Sequence, residues 1–162
     1  MSQLLFPSLA VAALALAACA TAPEPVGPAE TALAVPELPP AFRAQEIVGR
    51  WGYAAYHKPD DRARTEANAR GQCNKPYVIS AGSSGGVVMH LADQPQAQEL
   101  RLKGAPGGKT YIGPAGEPPG SKQDREVLSF DGRVLVTRFV DPEVDGRYGT
   151  SVYVRCGARA AA

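Results

Sequence analysis

From Ile47 to Cys156, apolar and polar positions alternate in short runs, and Gly, Pro or Asp breaks each run. Alternation with a period of two over four to eight residues marks a strand with one buried face. The pattern predicts strands at 47–56, 76–80, 86–91, 98–103, 109–113, 125–130, 133–140 and 148–155. Together these describe a small all-β antiparallel meander of about eight short strands. Closed into a barrel or stacked as a sandwich, it would show the same alternation. In "REVLSFDGRVLVTRFV" the pair Asp131-Gly132 predicts a two-residue hairpin turn between Phe130 and Arg133, because a primed turn needs positive φ and Gly supplies it.

One segment interrupts the strands. In "PDDRARTEANARG", residues 59–71, Asp60 or Asp61 is placed to cap a short helix, Ala63 and Ala67 share a face, and Gly71 is placed to stop it. Its apolar face holds only alanine, so a weakly packed polar surface helix or loop is expected there. In the first strand Trp51 and Tyr53 fall on one face and Tyr56 on the other, with the Trp51 face read as core. In the last strand Val152, Val154 and Cys156 share a face opposite Tyr153 and Arg155, and a bridged Cys156 makes the Val face the expected inward one.

Composition agrees with turns over helices: 17 Gly and 15 Pro in 162 residues, with 44% hydrophobic positions, fit one turn-rich domain. A net charge of +1 from 17 basic and 16 acidic residues spread along the chain provides no field for nucleic acid, so no nucleic-acid partner is expected. Nucleotide binding is also not expected. In "KGAPGGKTY" the order Gly-Lys-Thr resembles a phosphate loop, but only three residues separate Gly104 from Gly108-Lys109-Thr110, and the first required glycine falls on Lys103. The following Gly113, Pro114, Pro118 and Pro119 forbid the helix whose N-terminus would hold a phosphate. The segment therefore reads as a turn between two strands.

The N-terminus concerns address, not fold. "MSQLLFPSLAVAALALAACA" is apolar, too short to span a bilayer comfortably, and ends in small residues, as an export signal does. Its end, Leu16-Ala17-Ala18-Cys19, resembles the lipobox of bacterial lipoproteins. That resemblance implies a signal peptide over 1–18, cleavage before Cys19, and several acyl chains on the cysteine, which anchor far more firmly than one. Ala20 in place of the Asp of inner-membrane lipoproteins implies an outer-membrane lipoprotein. From Cys19 to residue 45 the chain is Pro-rich and lacks aromatics before Phe42, the composition of an extended, disordered tether. The β domain is then expected over 46–157, with 158–162 as a tail.

With Cys19 taken by lipid, Cys73 and Cys156 remain as a pair in an oxidising compartment, where a disulfide is the default. No Cys-x-x-Cys or histidine cluster suggests a redox or metal centre, and no metal or other cofactor is expected. His57 and His90 lie in separate segments and read as solvent-facing or edge residues. Ser83 and Ser84 in "AGSSGG" lack the Gly-x-Ser-x-Gly spacing of a nucleophile elbow and read as a turn. Asp60, Asp61 and the acids of "DPEVDG" do not match a calcium loop, and turn or cap roles suffice for them.

Gly49-Arg50-Trp51 on the first strand, followed by a meander and by Arg155 near its end, resembles the Gly-x-Trp pattern of lipocalin-like barrels. Small barrels that inhibit bacterial metalloproteases share a similar first-strand motif. The resemblance implies that Gly49, Trp51 and Arg155 close the barrel floor, with the arginine stacked on the tryptophan. A folded part of roughly 110 residues leaves less interior than a typical lipocalin, so a barrel filled by side chains is expected. The functional expectation is a non-catalytic envelope lipoprotein that presents its β domain to another envelope protein. A carrier of a small apolar ligand and a protease-inhibitor-like barrel are the alternatives.

Overall fold

The computed structural model describes residues 38–157. Its strands are β1 (Gly49–Tyr56), β2 (Tyr77–Ala81), β3 (Val87–His90), β4 (Ala97–Ala105), β5 (Lys109–Gly113), β6 (Arg125–Phe130), β7 (Val134–Phe139) and β8 (Thr150–Arg155). Each pairs antiparallel with the next, and β8 returns to β1 from Trp51↔Arg155 to Tyr56↔Thr150. That last pairing closes a barrel. The expected signal peptide, Cys19 and the tail lie outside the described residues.

Inward positions carry the core. Trp51, Ile79, Met89, Leu100, Ile112 and Leu135 are fully buried in one cluster that Tyr153 joins. A second, smaller cluster lies outside the barrel wall, where α1 (Arg62–Gly71) packs Ala69 against Val152 and Val154. The expected inward Val face of β8 is therefore corrected: Val152, Val154 and Cys156 face the helix, while Tyr153 and Arg155 face the interior. Covering by α1 buries β8 on both faces, so alternation loses its meaning there. The helix uses Thr65 and Ala69 for this contact and leaves Ala63 and Ala67 exposed, a face different from the expected one. A Cβ on Gly52 would come within 1.9 Å of the Ala69 carbonyl oxygen, so glycine is what lets the helix approach so closely. The disulfide Cys73–Cys156, with Cα atoms 5.5 Å apart, pins the end of this segment to the end of β8.

Two local expectations shift. Asp131 pairs with Val134 through its N–H, so the β6–β7 turn is centred on Gly132-Arg133, one residue later than the pattern predicts. Gly132 alone takes positive φ (84°), and the Asp131 carboxylate accepts from the Arg133 and Val134 N–H groups. In "DPEVDG" the Asp141 side chain caps a second helix, α2 (Pro142–Tyr148), by accepting from the Glu143 and Val144 N–H groups. Tyr148, read from sequence as the first residue of the last strand, belongs to this helix.

The two ends of the barrel differ. Short turns at 82–86, 106–108 and 131–133 gather at one end, and the longer connections 91–96, 114–124 and 140–149 at the other. At the short-turn end the chain also docks residues that the tether was expected to include. Leu38 exchanges two backbone hydrogen bonds with Gly104, the Ala41 N–H donates to Thr110 Oγ1, and the Phe42 ring lies 4.5 Å from Phe130. The folded body thus begins before residue 46, because Phe42 and Ala44 find apolar cover on the barrel.

Candidate functional site

The closed end is built from the residues of the Gly-x-Trp pattern. The Arg155 guanidinium lies 4.2 Å over the Trp51 ring, and its donors reach three backbone carbonyls, those of Gly132, Val48 and Glu46. Trp51 Nε1 donates to the Ile47 carbonyl at 2.9 Å. Gly49 has φ 146°, and a Cβ there would sit 2.8 Å from Arg155 Nη1. All three residues meet at one point, where the Arg155 and Trp51 donors are engaged by backbone carbonyls.

The other end is open. β2 pairs with β1 only as far as Tyr77↔Trp51, whereas β8 follows β1 to Tyr56, so the upper part of β1 has a strand partner on one side only. A depression of about 450 Å³ occupies this mouth. Tyr53, Tyr77 and Tyr153 form one wall, their ring centroids 5.1 to 6.2 Å apart. Arg125 and Phe139 form the facing wall, with the guanidinium carbon 4.8 Å from the Phe139 ring centre. Loop 91–95 and Tyr148 of α2 complete the rim. A smaller depression of about 310 Å³ adjoins it behind the same loop, lined by Lys122, Gln123 and Val144.

Most polar groups of the rim are already engaged. Asp93, in the left-handed region at φ 59°, accepts from both terminal nitrogens of Arg147 and from the Tyr148 hydroxyl at 2.5 Å. The Tyr148 hydrogen bond, and then Arg147, hold the Asp93 carboxyl below its usual range. The Tyr53 and Ser151 hydroxyls lie 3.3 Å apart, and the Tyr77 hydroxyl accepts from the His90 backbone N–H at 3.0 Å. Burial pushes the Tyr153 hydroxyl far above the ordinary tyrosine range, with the Arg125 charge pulling the other way. Tyr153 is therefore neutral at physiological pH.

Arg125 differs from these. It is 5% exposed, its Nη2 donates to the His90 carbonyl, and its Nε and Nη1 are buried with no acceptor. Thr137 Oγ1, on the neighbouring strand, is likewise buried without a partner. Sequence reading missed Arg125. The available signal was that β6 starts with an arginine at a position that alternates with Val127, but a bulge between Val127 and Ser129 shifts the register and hides which face is inward.

The remaining residues singled out in the sequence do not join the mouth. His57 lines a separate depression with Lys58, Asp61 and Arg64, so the two histidines are not brought together. Ser83 and Ser84 lie in the β2–β3 turn at the closed end, where the Glu99 carboxylate accepts from the Ser83 hydroxyl and from the Ser84 and Gly86 N–H groups. "APGGK" is the turn between β4 and β5, with Gly107 and Gly108 at φ 77° and 73° and Ala105 paired with Lys109. Lys103 is buried beneath loop 114–124, bonded to Asp124 at 2.6 Å and to the Glu117 carbonyl at 3.1 Å. Among the described residues no three His, Cys, Asp or Glu side chains converge in a way that could hold a metal ion.

Compared with models of protein families, with curated proteins and with solved structures, the chain matches none.

Proposed function

We propose that this chain is a non-catalytic, ligand-binding barrel of the cell envelope, held to the outer membrane through an acylated Cys19. The observation that carries the reading is the mouth depression of about 450 Å³, a size within the usual range for small-molecule sites. Its walls combine aromatic faces with a few convergent polar groups, the composition such sites share. Side chains fill the barrel below, and the depression lies above that core at the mouth. The engagement of Asp93 by Arg147 and Tyr148, and of Ser151 by Tyr53, supports binding over catalysis at this mouth.

Two features of the sequence and fold support attachment outside the cytosol. The lipobox-like Leu16-Ala17-Ala18-Cys19 supports acylation, and a disulfide between Cys73 and Cys156 fits a compartment outside the cytosol. Leu38 and Phe42 dock at the closed end, away from the mouth depression.

A protein partner in the envelope is the second reading. The observation favouring it is that the connections 91–96, 114–124 and 140–149 gather at one end, with Tyr53 and Tyr148 exposed among them. Both readings are tested on the full chain extracted from membranes in mild detergent. Mass analysis is expected to show a chain starting at an acylated Cys19, and an unmodified Met1 would end the anchoring proposal. Native mass spectrometry is expected to show a small-molecule adduct. A protein that takes up no aromatic or aliphatic compound at millimolar concentration, yet retains a stoichiometric envelope protein, would replace the carrier reading with the second one.

A further inference from the structure

Within the ligand-binding reading, the charge at the mouth selects a class of ligand. Arg125 is a buried cation whose guanidinium carries five N–H donors. One nitrogen, Nη2, is used on the His90 carbonyl, while Nε and Nη1 have no acceptor. No carboxylate of the rim answers it, because Asp93 is committed to Arg147 and Tyr148. A buried charge left without a partner is strongly unfavourable, so a fold that retains one is suited to an acceptor from outside. The Phe139 ring covers one face of the guanidinium, which leaves its edges as the sites where a ligand can bond. The tyrosine wall facing it suits a flat body.

From this geometry we infer that the mouth binds a small aromatic carboxylate, its anionic head on the guanidinium edge of Arg125 and its ring against Tyr53, Tyr77 and Tyr153. The head enters beside Thr137 Oγ1, a buried hydroxyl that lacks a partner on the strand adjoining Arg125. Carboxylate and the buried guanidinium then form charge-assisted hydrogen bonds, stronger than neutral ones.

The test uses the full chain and two probes of one shape, benzoate and benzamide, with inorganic phosphate as a third. Binding is read by titration calorimetry and by the shift in thermal midpoint. Benzoate is expected to bind at least tenfold tighter than benzamide, and Arg125→Met to abolish that preference. Without ligand, Arg125→Met is expected to fold at least as stably as the parent, since it removes an unpaired buried charge. Arg125→Lys, which keeps charge but loses the planar fork, is expected to retain a weakened preference and guards against a Met variant that fails to fold. Equal binding of benzoate and benzamide, or a preference unchanged by both variants, overturns the inference while the ligand-binding reading stands. Phosphate binding in place of benzoate keeps the anion site and overturns the carboxylate assignment. No binding of any probe, with folded protein, overturns the inference, and the native adduct then decides the ligand-binding reading.

Discussion

Arg155 lies over Trp51 at 4.2 Å and, through three backbone carbonyls, ties the β6–β7 turn to the segment entering β1. One side chain thus seals the closed end. Replacing it with Met leaves those carbonyls without their donor and is expected to cost about 2 kcal/mol in urea unfolding. Trp51 is the single tryptophan, so its emission reports on the surroundings of this one ring. Gly49→Ala is expected to cost about 1–3 kcal/mol and to perturb the same emission, because φ 146° is unfavourable for alanine and the new Cβ meets Arg155.

Lys103 and Asp124 form an ion pair that loop 114–124 covers almost completely. Lys103→Met leaves a buried carboxylate unpaired and is expected to cost about 3–5 kcal/mol. The double variant Lys103→Met with Asp124→Leu is expected to recover most of that loss, and chemical unfolding of the four proteins of the cycle measures the coupling. A double variant as unstable as the single one would refute the pairing as the cause.

Cys73–Cys156 closes a long stretch of chain and holds the helix segment to the end of β8. Replacing both cysteines by serine is expected to cost about 2–5 kcal/mol. Hydrogen exchange should show α1 losing protection before the barrel strands, because its contact with the wall rests on Ala69 and the small Gly52. Gly52→Val is expected to loosen the same helix with the disulfide intact.

Glu99 accepts backbone N–H groups in the β2–β3 turn, and the Gly86 bond, chiefly, lowers its pKa. Asp131 is lowered by the Val134 and Arg133 N–H groups, and Asp93 by Tyr148 and Arg147. A carboxylate depressed in the folded state adds stability above its unfolded pKa, and the contribution fades as pH falls through the folded one. Stability is therefore expected to be level from neutrality to about pH 5 and to decline below about pH 4. Glu99→Gln should flatten part of that decline in thermal melts recorded from pH 7 to 3.

The eight strands were legible because alternation, Gly and Pro act within a few residues of themselves. The Gly49, Trp51 and Arg155 constellation was legible only as a resemblance, since residues at opposite ends of the domain cannot be joined by local pattern. Arg125 was not legible at all. In the chain it is one arginine among scattered charges, and its meaning comes from facing inward beside Phe139 with two nitrogens unanswered.

The sequence by itself determined roughly where strands lie and that turns outnumber helices, because each depends on short-range sterics or on a count, and with Cys19 set aside by the lipobox resemblance it also named the cysteine pair. Closure into a barrel, the inward face of β8 and the open mouth were decided by tertiary structure. A period of two states that a strand has two faces, but which one is inside depends on what covers the other. Here α1 covers the Val152 and Val154 face, and pairing of β1 with β8 turns Tyr153 and Arg155 inward.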